Sequence, residues 1–220
     1  PVTGAVWGGV TNTGVSLYMS TSLRDFKASV VAAYGLLRGK NVLNNDRVYL
    51  RAAVDRDVYT DGDTVLNVGV NANYTSFSKN ESFYTFGHGG YYSPQSSLSF
   101  GVPVELSGRA DLLSYQLRAG VSYSRTKEDA ALYYPTDPAL QAMTPGSTYA
   151  GGNGGGFGYN LRAVAEYRVA PDLALGGRFS IERSAYYAPN SVLFYLRYLF
   201  TPETGPVKLT PDPVVPYSQY

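Results

Sequence analysis

Sustained alternation of apolar and polar side chains constrains this chain more than any other feature. In Ser191–Phe200 the even positions are Val192, Phe194, Leu196, Tyr198 and Phe200, and the odd ones include Ser191, Tyr195 and Arg197. From Leu113, one face reads Leu113, Tyr115, Leu117, Ala119, Val121, Tyr123 and the other Ser114, Gln116, Arg118, Gly120, Ser122, Ser124. Residues 157–169 set Phe157, Tyr159, Leu161 and Tyr167 against Asn160, Arg162, Glu166 and Arg168. In 173–182, Leu173, Leu175, Phe179 and Ile181 oppose Arg178, Ser180 and Glu182. The pattern continues more weakly upstream, over 98–106, 66–74, 48–54, 26–36 and 15–19, with a poorly patterned first segment at 2–10. Alternation over ten or more residues requires extended strands with one apolar and one polar face. The total is about ten strands.

Connections alternate in length. Short ones fall near 22–25, 59–63, 107–112 and 170–172, and longer ones at 38–46, 76–95, 126–155 and 185–190. Short turns at one end and long loops at the other characterise an antiparallel up-and-down transmembrane β-barrel. A tilted strand needs roughly 9–11 residues to cross the hydrocarbon layer, which these segments supply. Tyrosines stand near the ends of the apolar faces (Tyr74, Tyr115, Tyr123, Tyr159, Tyr167), as in interfacial girdles. The last strand closes on Leu196, Tyr198 and Phe200 on one face, which resembles the terminal signal read by the outer-membrane barrel assembly machinery. Lipids of the outer membrane would then surround the apolar face. A soluble barrel or sandwich is the competing fold, with the apolar face as a packed core.

Residues 201–220 break the pattern. Their five prolines exclude a further central strand. The expected organisation is a barrel domain over 1–200 and a Pro-rich tail over 201–220, leaving from the short-turn, periplasmic side. The opening PVTGAVWGG lacks an initiator Met, so a processed chain or a fragment is expected.

Composition narrows the chemistry. Eighteen Lys+Arg against 17 Asp+Glu leave +1, so nothing marks a nucleic-acid surface. With no Cys there is no disulfide, thiolate metal site or cysteine nucleophile. No run of eighteen apolar residues is present to form a transmembrane helix. Charged residues are only 16%, while 24 Gly and 21 Tyr fill the sequence, a mixture suited to meeting two different solvents.

Catalytic signals are weak. The one histidine, His88, has no acid nearer in sequence than Glu81, and a triad needs a positioned Ser and acid. GGNGGGFG (151–158) lacks the Lys-Ser/Thr of a phosphate loop. Paired carboxylates could cleave a glycosidic bond, yet Glu105, Glu166 and Glu182 share their faces with an excess of arginines. A bracing network of ion pairs is the simpler reading, so no catalytic residue, metal or cofactor is assigned. The loop 80–95 concentrates Phe83, Tyr84, Phe86, His88, Tyr91 and Tyr92, either a platform for sugar rings or a self-packed seal of one mouth.

The segments FYTFGHGGYYSPQSSLSFGVPVEL (83–106), GFGYNLRAVAEYRV (156–169) and YYAPNSVLFYLRYLF (186–200), with the ending PDPVVPYSQY (211–220), resemble the C-terminal outer-membrane domains of the cellulose synthase operon protein C family. That resemblance implies a cellulose export porin of about sixteen strands. It also implies a preceding periplasmic tetratricopeptide scaffold reaching toward an inner-membrane cellulose synthase complex. The polymer would be a β-glucan passing from periplasm to cell surface. A lumen carrying Tyr18, Tyr49, Asn67, Asn71, Asn73, Gln116, Arg118, Arg162, Glu166, Arg178, Tyr195 and Arg197 offers many interchangeable hydrogen-bond partners. Each replaces water at small net gain, which lets a neutral polymer slide. An outer-membrane enzyme acting on lipid or polysaccharide and a plugged structural barrel are the alternatives.

Overall fold

The computed structural model describes residues 4–184 and 188–211. The chain runs β1 (Gly8–Leu23), β2 (Phe26–Lys40), β3 (Asn45–Asp61), β4 (Thr64–Phe77), β5 (Ser96–Ala110) and β6 (Leu113–Glu128). A small insert follows, made of β7 (Ala131–Leu132), the helix α1 (Pro138–Met143) and β8 (Thr148–Tyr149). Three long strands complete it: β9 (Gly152–Ala170), β10 (Leu173–Arg183) and β11 (Asn190–Tyr198). Nine strands make one antiparallel sheet in sequential order, and β7 pairs only with β8. The architecture is the expected all-β meander. Its sheet is open, with β1 and β11 at the two edges.

The sheet has nine strands rather than about ten because the two expected first segments are one strand, β1. Thr11–Gly14 carries no large apolar side chain, so alternation vanishes there. The backbone nevertheless pairs continuously, with Thr11 opposite Arg38, Asn12 opposite Leu37 and Gly14 opposite Gly35.

Three of the four tight turns begin with a left-handed residue: Arg24 (φ 55), Gly62 (φ 53) and Asp111 (φ 51). Positive φ at that position matches the twist of the flanking strands. The fourth turn begins with Pro171, whose ring forbids positive φ, and the register shifts between Leu173 and Ala174 instead. At the opposite end lie the long connections, 41–44, 78–95 and 129–151. A fourth, 184–189, includes residues 185–187, which lie outside the described set.

The register aligns the faces across strands. Asn67, Glu105, Arg118, Arg162, Ser180 and Ser191 form one polar row, each opposite the next. Ala52, Ala72, Phe100, Tyr123 and Phe157 form a row on the other face. There Tyr123 and Phe157 meet edge to face at 5.1 Å. Aromatic bands mark both ends of the apolar face. Tyr34, Tyr74, Tyr123 and Tyr159 stand toward the long connections, and Tyr115, Tyr167 and Tyr198 toward the short turns.

Among the described residues no layer packs on the apolar face. Phe100 is 55% exposed, Val121 60% and Phe194 83%. Among the described residues the buried apolar side chains are Leu37, Val42, Phe77, Val164, Ala174 and Val207. All of these lie on the polar face, in a connection or in the tail. Burial is thus on the opposite side from the hydrophobic stripe. A groove of about 580 Å³ touches Lys27 on β2, Asn67 on β4, Arg118 on β6, Asn160 on β9 and Leu209 of the tail. Only a sheet curled toward its polar face brings those strands to one cavity.

The connection 78–95 folds over one end of the curl. Its Phe83 ring stacks on Tyr149 at 3.6 Å, and Leu43 N–H donates to the Gly87 carbonyl at 3.1 Å. Gly87 sits at φ 101, and a Cβ there would press on Thr136 and Pro135. Gly87→Ala should therefore cost ~1–3 kcal/mol locally. Hydrogen-exchange mass spectrometry on the full natural chain should show faster exchange over residues 78–95, with β5 and β6 unchanged.

Candidate functional site

The polar face carries linked networks of hydrogen bonds and ion pairs. Tyr49 Oη donates to Asn73 Oδ1 at 3.5 Å, and Asn73 Nδ2 donates to Asn71 Oδ1 at 3.0 Å and Ser99 Oγ at 3.3 Å. Asn67 Nδ2 reaches both Asp55 Oδ1 and Asp57 Oδ1 at 2.9 Å. Lys27 Nζ pairs with Asp57 at 2.9 Å. One strand on, Glu105 takes a hydrogen bond from Gln116 Nε2 at 2.8 Å and the Arg118 Nε at 2.5 Å. Arg162 stands opposite Arg118, and Arg178, 4% exposed, is one rung away on β10. Tyr18 lies on the same face of β1 and is open to solvent.

Near the short turns, Tyr195 Oη donates to Glu166 Oε2 at 2.9 Å, and Arg197 Nη2 lies 3.2 Å from the same oxygen. The Tyr195 ring lies flat over Gly176, in space that any Cβ would occupy. All twelve wall residues read from the sequence thus share one face. The connectivity splits them into an amide–aspartate cluster on β3 and β4, a Glu105-centred cluster, and a Glu166-centred one. The period-two reading of β3 ends at Asp55 and so stops short of Asp57, which keeps the same parity opposite Asn67; the bulge between Asp57 and Tyr59 resets the parity only beyond it.

The aromatic loop is mostly packed inward. His88 and Glu81 are fully buried. His88 lies edge-on to Phe83 at 5.3 Å and to Tyr149 at 5.8 Å. Its Nε2–H donates to the Leu132 carbonyl at 2.8 Å, which fixes the neutral tautomer. Burial lowers its pKa, against that hydrogen bond. Phe86 meets Trp7 at 6.2 Å, and Tyr91 packs on Phe77 at 5.9 Å while accepting from Asn45 Nδ2 at 3.0 Å. Burial pushes the Tyr91 hydroxyl up to about 12. Of the six aromatic-loop positions, only Tyr84 and Tyr92 face outward, 82% and 60% exposed. The partners of the inward Phe83 and His88 lie more than forty residues away, at Tyr149 and Leu132, where no local pattern points to them.

The described part of the tail returns along the polar face. Arg168 Nη1 donates to the Gly205 carbonyl at 2.5 Å, and Arg109 Nη1 donates to the Val207 carbonyl at 2.9 Å. Glu203 adds a contact to Arg168 at 3.5 Å. Val207 is buried, and Leu209 lines the central groove. Leu196 and Tyr198 lie on the apolar face, and Phe200, just past β11, packs edge-on to Tyr198 at 5.5 Å. Residues 212–220 lie outside the described set. Among the described residues no three His, Asp or Glu side chains are placed to hold a metal ion.

An open antiparallel meander with a bare apolar face and a braced polar face defines an outer-membrane-type barrel wall as the structural class. The chain belongs to the family described as cellulose synthase operon protein C C-terminus, whose profile matches residues 1–201. It is 34% identical over 214 residues to cellulose synthase operon protein C of Pseudomonas fluorescens (strain SBW25), covering 97% of this chain and 16% of that protein. It is 33% identical to the proteins of the same name from Salmonella typhimurium (strain LT2) and Escherichia coli (strain K12), covering 99% of this chain and 19% of each. The chain thus spans less than a fifth of the length of these relatives.

Glu81 offers a pH test of the loop seal. Burial raises its pKa from 4.5 to about 7, outweighing the Gly89 amide and the Lys79 charge, which lower it. Neither carboxylate oxygen has a hydrogen-bond partner in full geometry. The folded loop therefore binds this proton more tightly than the unfolded chain does. Its stabilisation is complete below about pH 4.5 and is lost as pH rises through about 7. The loss is on the order of 3 kcal/mol of local stability. Limited proteolysis within 78–95 should accelerate between pH 5 and pH 8 in the natural protein, and Glu81→Gln should remove that dependence.

Proposed function

We propose that this chain is part of the wall of an outer-membrane channel that exports cellulose from the periplasm to the cell surface. The observation that carries the reading is the inverted burial of the sheet. Its apolar face is bare and banded by aromatics, which fits a lipid surround, while its polar face is curled inward and braced. Family membership supplies the polymer, since the relatives are named for the cellulose synthase operon.

Residues 1–200 form the barrel part and 201–220 a tail at the periplasmic mouth. The short turns face the periplasm and the long connections the cell exterior. Full closure needs further strands beside β1 and β11, because an open strand edge in hydrocarbon leaves backbone groups unpaired. The partners are the β-glucan chain, outer-membrane lipids, the barrel assembly machinery, a tetratricopeptide scaffold in the same protein, and the inner-membrane synthase. The wall residues around Asn67, Asn71, Asn73, Gln116 and Tyr195 contact the polymer through weak, repeated hydrogen bonds. Tyr84 and Tyr92 meet it at the outer mouth. Transport is driven by synthesis upstream, and the chain is not an enzyme. His88 is fully buried against Phe83 and Tyr149, shut off from a polymer or lipid substrate.

Two measurements on the full-length protein test this reading. Val102→Arg, in the middle of the apolar face, should destabilise the barrel in phospholipid vesicles by about 2–4 kcal/mol in urea titrations. Ser99→Arg, on the polar face of the same strand, should change it far less. Equal effects would remove the membrane assignment. Deleting residues 201–220 should raise conductance in planar bilayers and alter cellulose secretion. No current with or without the tail would remove the channel.

A further inference from the structure

Charge is segregated on the apolar face. At and beyond the aromatic band of the long-connection end, the strands carry Arg38, Lys40, Arg125, Lys127 and Arg183 on that face, against Asp46 alone among the described residues. The chain as a whole is only +1. At the short-turn end of the same face, Arg56 is matched by Asp61. Basic side chains gathered at one rim of a hydrophobic surface are placed to meet anionic groups there.

Arg38 and Arg183 are spent inside the chain. Arg38 Nη1 donates to the Leu37 and Asn45 carbonyls, each at 3.0 Å. Arg183 Nη1 donates to the Pro189 carbonyl at 3.3 Å and to Asn190 Oδ1 at 2.8 Å. Arg125 and Lys127 differ from these. They stand two residues apart on one face of β6, about 7 Å along the strand, and both are exposed. Arg125 lies between Leu98 of β5 and Gly155 of β9, and it makes no hydrogen bond or ion pair among the described residues. Gly155 has no side chain to crowd it. Lys127 lies between Ser96 and Asn153 and holds Asp129 at 3.1 Å. Both members of that pair are more than half exposed, and such pairs are worth little in water. Next to Arg125 toward the middle of the sheet, Tyr123 meets Phe157 edge to face, and Val121 and Phe157 are largely exposed. The patch therefore joins two basic heads to an aromatic and aliphatic surface.

We infer that Arg125 and Lys127 bind the phosphate of a membrane lipid whose acyl chains lie over Val121, Tyr123 and Phe157. A phosphate between them takes the Arg125 fork and displaces Asp129 from Lys127. A free anion would meet only the two cations, whereas a lipid also covers the exposed rings, so a lipid is the occupant. The inference rests on the membrane reading, in which this rim stands at the headgroup level of the outer leaflet.

The test uses the full-length protein in neutral detergent, with bis-phosphorylated lipid A as the probe and its dephosphorylated form as the control. Bound lipid is counted by native mass spectrometry. The natural protein should prefer the phosphorylated form. Arg125→Gln and Lys127→Gln should each weaken that binding about fivefold, and Arg125→Lys should weaken it less. Asp129→Asn, which frees Lys127, should tighten it. Arg56→Gln, at the opposite rim, should leave it unchanged. Heat-modifiable migration confirms that each variant is a folded barrel. Equal binding of the two lipid forms, or equal binding by all folded variants, overturns the proposal. Displacement of the lipid by an equal concentration of inorganic phosphate also overturns it, since the ion alone would then be recognised. The comparison of Val102→Arg with Ser99→Arg separates this proposal from the reading beneath it. If those two differ as expected and the lipid preference is absent, the lipid site alone falls. If they are equal, the membrane assignment falls and takes the site with it.

Discussion

Each strand from β2 to β10 in the main sheet is hydrogen-bonded along both edges, and the rest of the molecule depends on that register. Because side chains alternate strictly, one register decides which face every residue takes. A slip of one position would put Arg118, Arg162 and Arg178 among Phe100, Tyr123 and Phe179. The tight turns protect against such a slip. Three have left-handed first residues, and the Pro171 turn absorbs its mismatch in a bulge before the next rung. The same ladder leaves β1 and β11 each with one unpaired edge among the described residues.

The polar face shows how a wall can be rich in charge without being sticky. Its acids are engaged locally: Asp57 with Lys27 and Asn67, Glu105 with Arg118 and Gln116, Glu166 with Arg197 and Tyr195. Ion pairs of this kind leave mostly neutral hydrogen-bonding groups on the inner side of the curl.

Most of the wall was legible because period two is a local property. Reading parity alone puts Gln116, Arg118, Arg162, Glu166, Arg178, Tyr195 and Arg197 on one face, and the register agrees. Parity failed where side chains carry no contrast, as in Thr11–Gly14, and where a bulge resets it, after Asp57. The loop was harder. Its aromatic content marks 80–95 as distinctive, but inward and outward positions depend on contacts with Leu132 and Tyr149, which belong to a later segment. No short-range spacing distinguishes Phe83, stacked inside, from Tyr84, facing out.

The tail is gripped in an unusual manner. Arg168 and Arg109 hold it by the carbonyls of Gly205 and Val207, two residues apart, and the Glu203 side chain adds an ion pair to Arg168. A carbonyl is the same whatever residue bears it, so that part of the grip reads spacing and extension rather than identity. Prolines keep the backbone extended and supply carbonyls without competing donors. Such a strap can exchange most of its residues over evolution and still follow the same path, provided its stride is kept. Insertion of a single residue between the two anchored carbonyls would disturb it more than many substitutions.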